Sequence, residues 1–123
     1  WGVEPEGADA MRRSLEAGVA VHLETVHTVA DGLAAPMAGV LNHALVAEYA
    51  CGVVTVSDQE IVEAMRLLLE RTKLLAEPAG AAGLAAILAG RIPRLGEAPV
   101  AVVLSGGNVD LATLGRLLSG AAT

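Results

Sequence analysis

Short apolar runs alternate with amphipathic stretches along this chain. Residues 100–104 read Val-Ala-Val-Val-Leu, and residues 52–56 form a second run rich in β-branched side chains. Continuous apolar runs of this length are typical of strands that are buried on both faces of a parallel sheet. Residues 1–5 read as the end of a further strand. The pattern therefore predicts several strands of a mostly parallel sheet.

Between these runs, apolar residues recur at helical spacing. Gly18 ends the first such segment, Pro36 begins the second, and Ser57 with Glu60 forms a capping box at the start of the third. We expect the second helix to be largely buried and the fourth, which is rich in Ala and Gly, to pack closely against neighbouring backbone. The four predicted helices span residues 8–17, 36–50, 57–69 and 79–88.

Strands that alternate with helices indicate an α/β fold, with three layers around the mostly parallel sheet. Residues 24–32 and 90–99 read as loops, and residues 105–110 form a polar loop directly after the predicted strand 100–104. In such folds, ligands bind in the crevice at the carboxyl ends of the strands. The sequence Ser105-Gly106-Gly107-Asn108 is therefore a candidate ligand-binding loop, and its alternative is a plain turn with Asn or Asp as a helix cap.

Composition narrows the class of protein. The 123 residues are 54% hydrophobic and 2% aromatic, which excludes disorder and predicts a core of Ala, Val, Leu and Ile. Eight basic residues against 14 acidic ones give a net charge of −6, which argues against nucleic-acid binding. The sequence has no apolar run long enough to span a membrane and no signal peptide. Its one cysteine, Cys51, is expected to be buried, and no intramolecular disulfide can form. We therefore predict a cytoplasmic protein.

Five motifs, taken in order, resemble the threonine dehydratase and serine racemase family. These are pyridoxal-phosphate enzymes of the tryptophan-synthase β fold, and the resemblance runs from Gly2 to about Leu111. It implies that the chain is part of the large catalytic domain. The motifs are Gly2-Val3-Glu4-Pro5-Glu6, Val29-Ala30-Asp31-Gly32, Val54-Thr55-Val56-Ser57-Asp58, residues 70–81 with Glu77-Pro78-Ala79-Gly80, and residues 104–110 with Ser105-Gly106-Gly107-Asn108.

The resemblance implies roles for five residues toward pyridoxal 5′-phosphate. The Ser105 hydroxyl hydrogen-bonds the pyridine nitrogen, Gly106 belongs to the same turn, and Asn108 helps to hold that loop. Glu77 lies near the reaction centre, although a carboxylate favoured at a helix start is the alternative. The backbone of Gly32 lies close to the cofactor, next to Asp31, which suits an Asx turn.

Relatives also bind a divalent cation, Mg²⁺ or Ca²⁺, through a glutamate, a backbone carbonyl and a second carboxylate. Glu4 and the carbonyl of Ala8 match the first two positions. The third position falls on Ala10, with Asp9 one residue early, so the site lacks a ligand that a hard cation prefers. Water together with Asp9 is the alternative that would complete the site.

Family members also hold the cofactor on a lysine and cradle its phosphate with a glycine-rich loop, and the resemblance places both upstream. Lys73 is the only lysine here, and its position at a helix end is typical of a cation that complements the helix C-terminus. The chain is therefore expected to be the C-terminal portion of the catalytic domain, inactive without its N-terminal half. Exposed apolar surface also predicts a homo-oligomer.

The expected activity is a threonine or serine ammonia-lyase, which eliminates water and releases a 2-oxo acid and ammonia. A serine racemase or a hydroxyaspartate dehydratase shares these motifs. A non-catalytic module that binds a ligand or a partner is the alternative from another class.

Overall fold

Two parallel strands form the sheet. The computed structural model describes residues 1–93 and 98–120. In it, β1 (Gly2–Pro5) pairs with β2 (Val53–Val56), with Gly2 opposite Val53 and Pro5 opposite Val56. Parallel strands need a crossover connection, which residues 6–52 provide. This confirms the predicted α/β fold with parallel strands.

Helices occupy most of the rest of the described chain. Short 3-10 turns, Glu6–Ala8 and Asp31–Leu33, and a π-helical turn, Leu68–Thr72, lie between them. The α-helices described are α1 (Ala10–Ala17), α2 (Val40–Tyr49), α3 (Asp58–Leu67), α4 (Pro78–Leu88) and α5 (Leu111–Ser119). Within the described ranges, no helix is long and apolar enough to cross a membrane.

The helices lie on both faces of the sheet. Successive strand residues point to opposite faces. Val3 packs against the core formed with α3 and α4, whereas the next residue, Glu4, hydrogen-bonds the first turn of α1. The small sheet is therefore sandwiched between helices, as the predicted three-layer arrangement requires.

The core is built from small side chains. Ile61 and Met65 of α3 and Val56 of β2 are its largest fully buried members, and they pack against a run of buried alanines in α4. Because alanine has so little volume, α3 and α4 approach closely. The predicted close packing of residues 79–88 is confirmed.

Two helix ends, the C-terminus of α1 and the N-terminus of α3, form as predicted from residues close together in the sequence. Gly18 ends α1 with φ of 69°, in the left-handed region that glycine adopts most easily. At the start of α3, the Ser57 hydroxyl accepts the Glu60 amide at 3.2 Å, and the Glu60 carboxylate accepts the Ser57 amide at 2.8 Å. This reciprocal pair is the predicted capping box.

The second predicted helix begins later than expected and is not buried. The Pro36 carbonyl accepts the Leu23 amide and Met37 pairs with His22 in an isolated antiparallel bridge, so these residues are extended rather than helical. The helix starts only after Gly39, whose φ is 74°. Val40, Leu41 and Tyr49 are 71–77% exposed because no described part of the chain covers them.

The predicted strand at residues 100–104 is wrong for this chain. Residues 99–110 have no regular secondary structure, and Val103 is 79% exposed. A strand requires a hydrogen-bonded neighbour, and in the described sheet β1 and β2 pair only with each other. Part of the predicted loop 90–99, residues 94–97, lies outside the described residues.

Candidate functional site

The Ser105-Gly106 loop lies against the start of α4. The Glu77 amide donates a hydrogen bond to the Gly106 carbonyl at 3.0 Å. A Cβ added to Gly106 would lie 2.1 Å from Oε1 of Glu77, so this carboxylate rests directly on the loop. Two of the predicted cofactor-binding residues, 29 positions apart in the chain, are therefore in contact.

Two further glycines allow this approach. A Cβ on Gly80 would lie 2.6 Å from the Gly106 carbonyl oxygen, and a Cβ on Gly107 would lie 2.7 Å from the Leu75 carbonyl oxygen. Both distances are shorter than real Cβ contacts, and the obstacles are backbone atoms, which cannot rotate away. The glycines of both motifs therefore let two backbone segments pack directly on each other.

Gly32 also lies against the first turn of α4. A Cβ on Gly32 would lie 3.0 Å from the Cβ of Ala79, in the first turn of α4. The Asp31 carboxylate accepts the amide of the next residue, Gly32, at 2.8 Å. An Asx turn requires the amide two residues on, and the Leu33 amide instead donates to the Ala30 carbonyl, so the predicted Asx turn does not form. Gly32, Glu77 and Gly106 thus meet around one end of α4.

The polar side chains of the loop face outward. Ser105 and Asn108 are both exposed, and neither side chain has a hydrogen-bond partner among the described residues. Asp110 caps α5 by accepting the Thr113 amide at 2.9 Å, a hydrogen bond that lowers the pKa of its carboxyl. The loop is therefore a helix-capping turn, as the alternative interpretation proposed, and it also leaves Ser105 available to a ligand.

Glu77 stands at the N-cap position of α4, where Pro78 is the first helical residue. Its side chain makes no capping hydrogen bond. The alternative prediction placed this residue correctly at a helix start, yet the carboxylate turns toward Gly106. An acceptor in this position can orient a polar ligand group that approaches the loop.

The donors present do not fit Mg²⁺ or Ca²⁺. The two Glu4 oxygens accept the Met11 and Arg12 amides at 2.8 and 2.9 Å, and the Asp9 carboxylate pairs with Arg12 and Arg13. Ala8 is buried, and Ala10 has no side-chain oxygen. The described residues contain no group of three or more His, Cys, Asp or Glu side chains placed to hold a metal.

The pKa values of the Glu4 and Asp9 carboxyls are shifted in opposite directions. Burial raises the pKa of Glu4 above its ordinary value and outweighs the two amide hydrogen bonds, which lower it. Burial would also raise the pKa of Asp9, but the hydrogen bonds and charges of Arg12 and Arg13 outweigh it, so the pKa is lowered. Arg12 and Arg13 are partly exposed, and their charges neutralise the buried Asp9 carboxylate.

Several other residues have no role where Gly32, Glu77 and Gly106 meet at the start of α4. The Lys73 ammonium donates to the Glu70 carbonyl at 2.7 Å, at the end of the turn that follows α3, as its helix-end position predicted. Cys51, expected to be buried, is exposed, because it lies in the turn between α2 and β2. His43 is half-buried, and its Nε2 has no partner among the described residues.

Sequence reasoning missed one connection near the group. The Asp58 carboxylate accepts the Thr28 hydroxyl at 2.5 Å and the Val29 amide at 3.0 Å. In the sequence, Asp58 stands out only as part of a motif, and Thr28 belongs to no motif. An acidic residue beside a complete capping box indicates a helix start, but it does not indicate which group the carboxylate contacts.

Comparison with known proteins gives this group a context. Residues 1–106 match the family model for pyridoxal-phosphate-dependent enzymes. The chain is 38% identical to the L-threo-3-hydroxyaspartate ammonia-lyase of Saccharomyces cerevisiae over 120 residues, 98% of the chain and 36% of that protein. It is 42% identical to the serine racemase of Arabidopsis thaliana over 115 residues, 90% of the chain and 34% of that protein.

Solved structures agree with these matches. The processed form of threonine deaminase isoform 2 from Solanum lycopersicum superposes with a TM-score of 0.88 at 30% identity, covering 99% of this chain and 36% of that one. The chain therefore spans about a third of the length of the relatives it matches. On the family match over residues 1–106, the chain belongs to the pyridoxal-phosphate-dependent enzymes and has the tryptophan-synthase-β-like fold.

Proposed function

We propose that this chain is the C-terminal portion of the catalytic domain of a threonine or serine ammonia-lyase. The observation that carries the proposal is the meeting of Gly32, Glu77 and the Ser105-Gly106 loop at one end of α4. Residues from three separate motifs converge there. The remaining parts of the site, including the lysine that holds the cofactor and the N-terminal half of the domain, are expected elsewhere in the protein.

The group fits pyridoxal phosphate in its donor chemistry. The exposed Ser105 hydroxyl is a neutral donor or acceptor for a ring nitrogen, and Gly32 presents backbone without a side chain. When bound, the cofactor acts as an electron sink for the amino-acid substrate. A neutral serine, unlike a carboxylate, does not enforce protonation of the ring nitrogen, and this favours loss of a β-hydroxyl group over other outcomes.

Glu77 has a supporting role in this proposal. Its carboxylate touches Gly106 and its backbone amide holds the Gly106 carbonyl, so it fixes the backbone immediately after Ser105. A fixed backbone limits the positions that the Ser105 hydroxyl can reach, which reduces the entropy lost on binding. Glu77 thereby orients the serine that contacts the ring.

The substrate is proposed to be a small β-hydroxy amino acid. The matched proteins include a threonine deaminase, a hydroxyaspartate ammonia-lyase and a serine racemase. We place threonine and serine first, and we keep serine racemisation and hydroxyaspartate dehydration as alternatives because those enzymes share the same motifs. Incubating the full-length protein with threonine, serine and hydroxyaspartate, and measuring 2-oxo acid and enantiomer formation, separates the three activities.

The proposal is tested by Ser105→Ala in the full-length protein. Losing one hydrogen bond to the cofactor is expected to weaken cofactor binding about tenfold and to lower turnover. Ser119→Ala is the matched control, because among residues 1–93 and 98–120 the Ser119 hydroxyl bonds only the Arg116 carbonyl, on the exposed face of α5. Unchanged cofactor affinity and turnover in Ser105→Ala would remove its assigned role, and a full-length protein without cofactor would favour the non-catalytic module.

A further inference from the structure

Asp58 links a distant loop to the start of α3. It is the first residue of α3, and its two carboxylate oxygens accept the Thr28 hydroxyl at 2.5 Å and the Val29 amide at 3.0 Å. Within the loop, the Thr28 hydroxyl oxygen also accepts the Ala30 amide at 3.1 Å. Two hydrogen bonds therefore connect the loop to a helix that begins about 30 positions later. A third, within the loop, connects Thr28 to Ala30.

The helix does not need this carboxylate as a cap. Ser57 and Glu60 already form the complete capping box of α3. A carboxylate in the first turn also interacts favourably with the helix dipole, but that interaction does not require both oxygens to face one loop. The geometry of Asp58 is thus explained by the loop and not by the helix.

The loop that Asp58 holds leads directly to Gly32. Ala30 is fully buried in the core, and the turn Asp31–Leu33 packs on α4. Gly32 then meets Ala79 in the first turn of that helix. The position of Gly32 is fixed by Ala30 from the core side and by Asp58, through residues 28–30, from the α3 side.

We propose that Asp58 is a positioning residue for the cofactor site, acting through Thr28 and Val29 to hold the backbone of Gly32 against α4. This inference rests on the proposed function, because it requires the Gly32 backbone to lie beside pyridoxal phosphate. Site residues must be held within a fraction of an ångström of their working geometry by their supporting contacts. Without the carboxylate, residues 28–30 lose their only described hydrogen bonds to α3.

The test uses the full-length protein with Asp58→Ala, Asp58→Asn and Thr28→Val. Equilibrium dialysis gives the dissociation constant of pyridoxal phosphate, and thermal unfolding is followed with and without the cofactor. Asp58→Ala is expected to weaken cofactor binding about tenfold, because two hydrogen bonds are lost. Asp58→Asn loses one of these bonds and is expected to weaken binding about threefold. Thr28→Val loses the bond to Asp58 and also the bond from the Ala30 amide within the loop, and is expected to weaken binding by between about threefold and tenfold.

A role confined to stability gives a different pattern. It would lower the melting temperatures with and without cofactor by the same amount and leave the dissociation constant unchanged, and this result overturns the proposal. A positioning role instead reduces the rise in melting temperature that the cofactor produces. If Asp58→Ala does not fold, the milder Thr28→Val and Asp58→Asn decide between these patterns in the same way.

Gln59→Ala is the matched control. Gln59 is the next residue of the same helix and is exposed, and Glu63 is the only hydrogen-bond partner of its side chain within the described part of the chain. Its loss is therefore expected to change neither quantity. A full-length wild-type protein that takes up no pyridoxal phosphate would overturn the proposed function itself. The two failures are distinguishable. If the proposed function is wrong, the wild type itself does not bind the cofactor. If only the role of Asp58 is wrong, the wild type and the Asp58→Ala variant bind the cofactor equally well.

Discussion

At the scale of single residues, the contact between Gly80 and the Gly106 carbonyl is the closest approach of two backbone segments at the site. Replacing Gly80 by Ala would place a methyl group 2.6 Å from the Gly106 carbonyl oxygen, a backbone atom, so α4 and the loop must move apart. We expect Gly80→Ala to lower the free energy of unfolding of the full-length protein by about 1–3 kcal/mol, as overpacking does. Denaturant unfolding measures this difference.

Gly115 supplies the control for that substitution. A Cβ on Gly115 meets no atom within 4 Å, and the residue lies inside α5. Gly115→Ala is therefore expected to raise the free energy of unfolding by about 0.5–1 kcal/mol, because alanine is the better helix former. Equal effects of the two substitutions would contradict the close contact between Gly80 and the Gly106 carbonyl.

A second prediction concerns pH. Arg12 and Arg13 lower the pKa of the buried Asp9 carboxyl below its ordinary value of 3.8. The ionised group therefore stabilises the fold above that value, and this stability is lost as the pH falls through the lowered pKa. Asp9→Asn is expected to cost about 1 kcal/mol near pH 7, since both arginines are partly exposed and screened.

The same substitution is expected to cost progressively less below pH 3.8, where the wild-type carboxyl itself becomes protonated. Unfolding curves for wild type and Asp9→Asn across this range give the comparison. Glu48→Gln, which replaces an exposed carboxylate on α2, is the matched control. A cost that stays constant down to about pH 2 would show that the arginine pairs are not its source.

Residue-level features were predictable where their cause is local. Gly18 and the Ser57–Glu60 pair depend on residues close together in the chain, and both formed as the sequence indicated. The Asp58–Thr28 contact and the Glu77–Gly106 contact join residues about 30 positions apart. No periodicity encodes such pairs, and family resemblance identified Glu77 and Gly106 without their contact.

At the scale of elements, α3 depends on its capping box. The Ser57 hydroxyl accepts the Glu60 amide, and the Glu60 carboxylate is also held by Arg91 at 2.7 Å. Ser57→Ala removes one partner of an amide at the helix start and is expected to cost about 1 kcal/mol of unfolding free energy. Denaturant unfolding checks this, with the exposed Ser119→Ala expected to change stability by less than about 0.5 kcal/mol.

Elements were predicted well when a partner element lies within the chain. β1 and β2 satisfy each other, and α3 and α4 bury each other's apolar faces, so these four follow their sequence patterns. Residues 100–104 have the composition of a strand but no described strand beside them. Residues 36–39 have a helical pattern, but Pro36 and Met37 pair with the segment at Leu23 instead.

At the scale of the whole molecule, apolar residues remain exposed on α2 and beside the candidate loop. Val40, Leu41 and Tyr49 on α2 and Val103 beside the candidate loop are more than 70% exposed. The matched relatives are about three times as long as this chain. We therefore propose that the remaining part of the catalytic domain, or a second copy of the protein, covers these surfaces.

The central claim is that this chain contributes cofactor contacts at Gly32, Glu77 and Ser105, while the lysine that holds the cofactor lies elsewhere in the protein. Lys73 is the only lysine in the chain, and its ammonium is engaged by the Glu70 carbonyl. The most direct test is to reduce the full-length protein with borohydride and map the modified peptide by mass spectrometry. The account predicts pyridoxal phosphate fixed to a lysine outside these 123 residues, and modification of Lys73, or of no lysine, would contradict it.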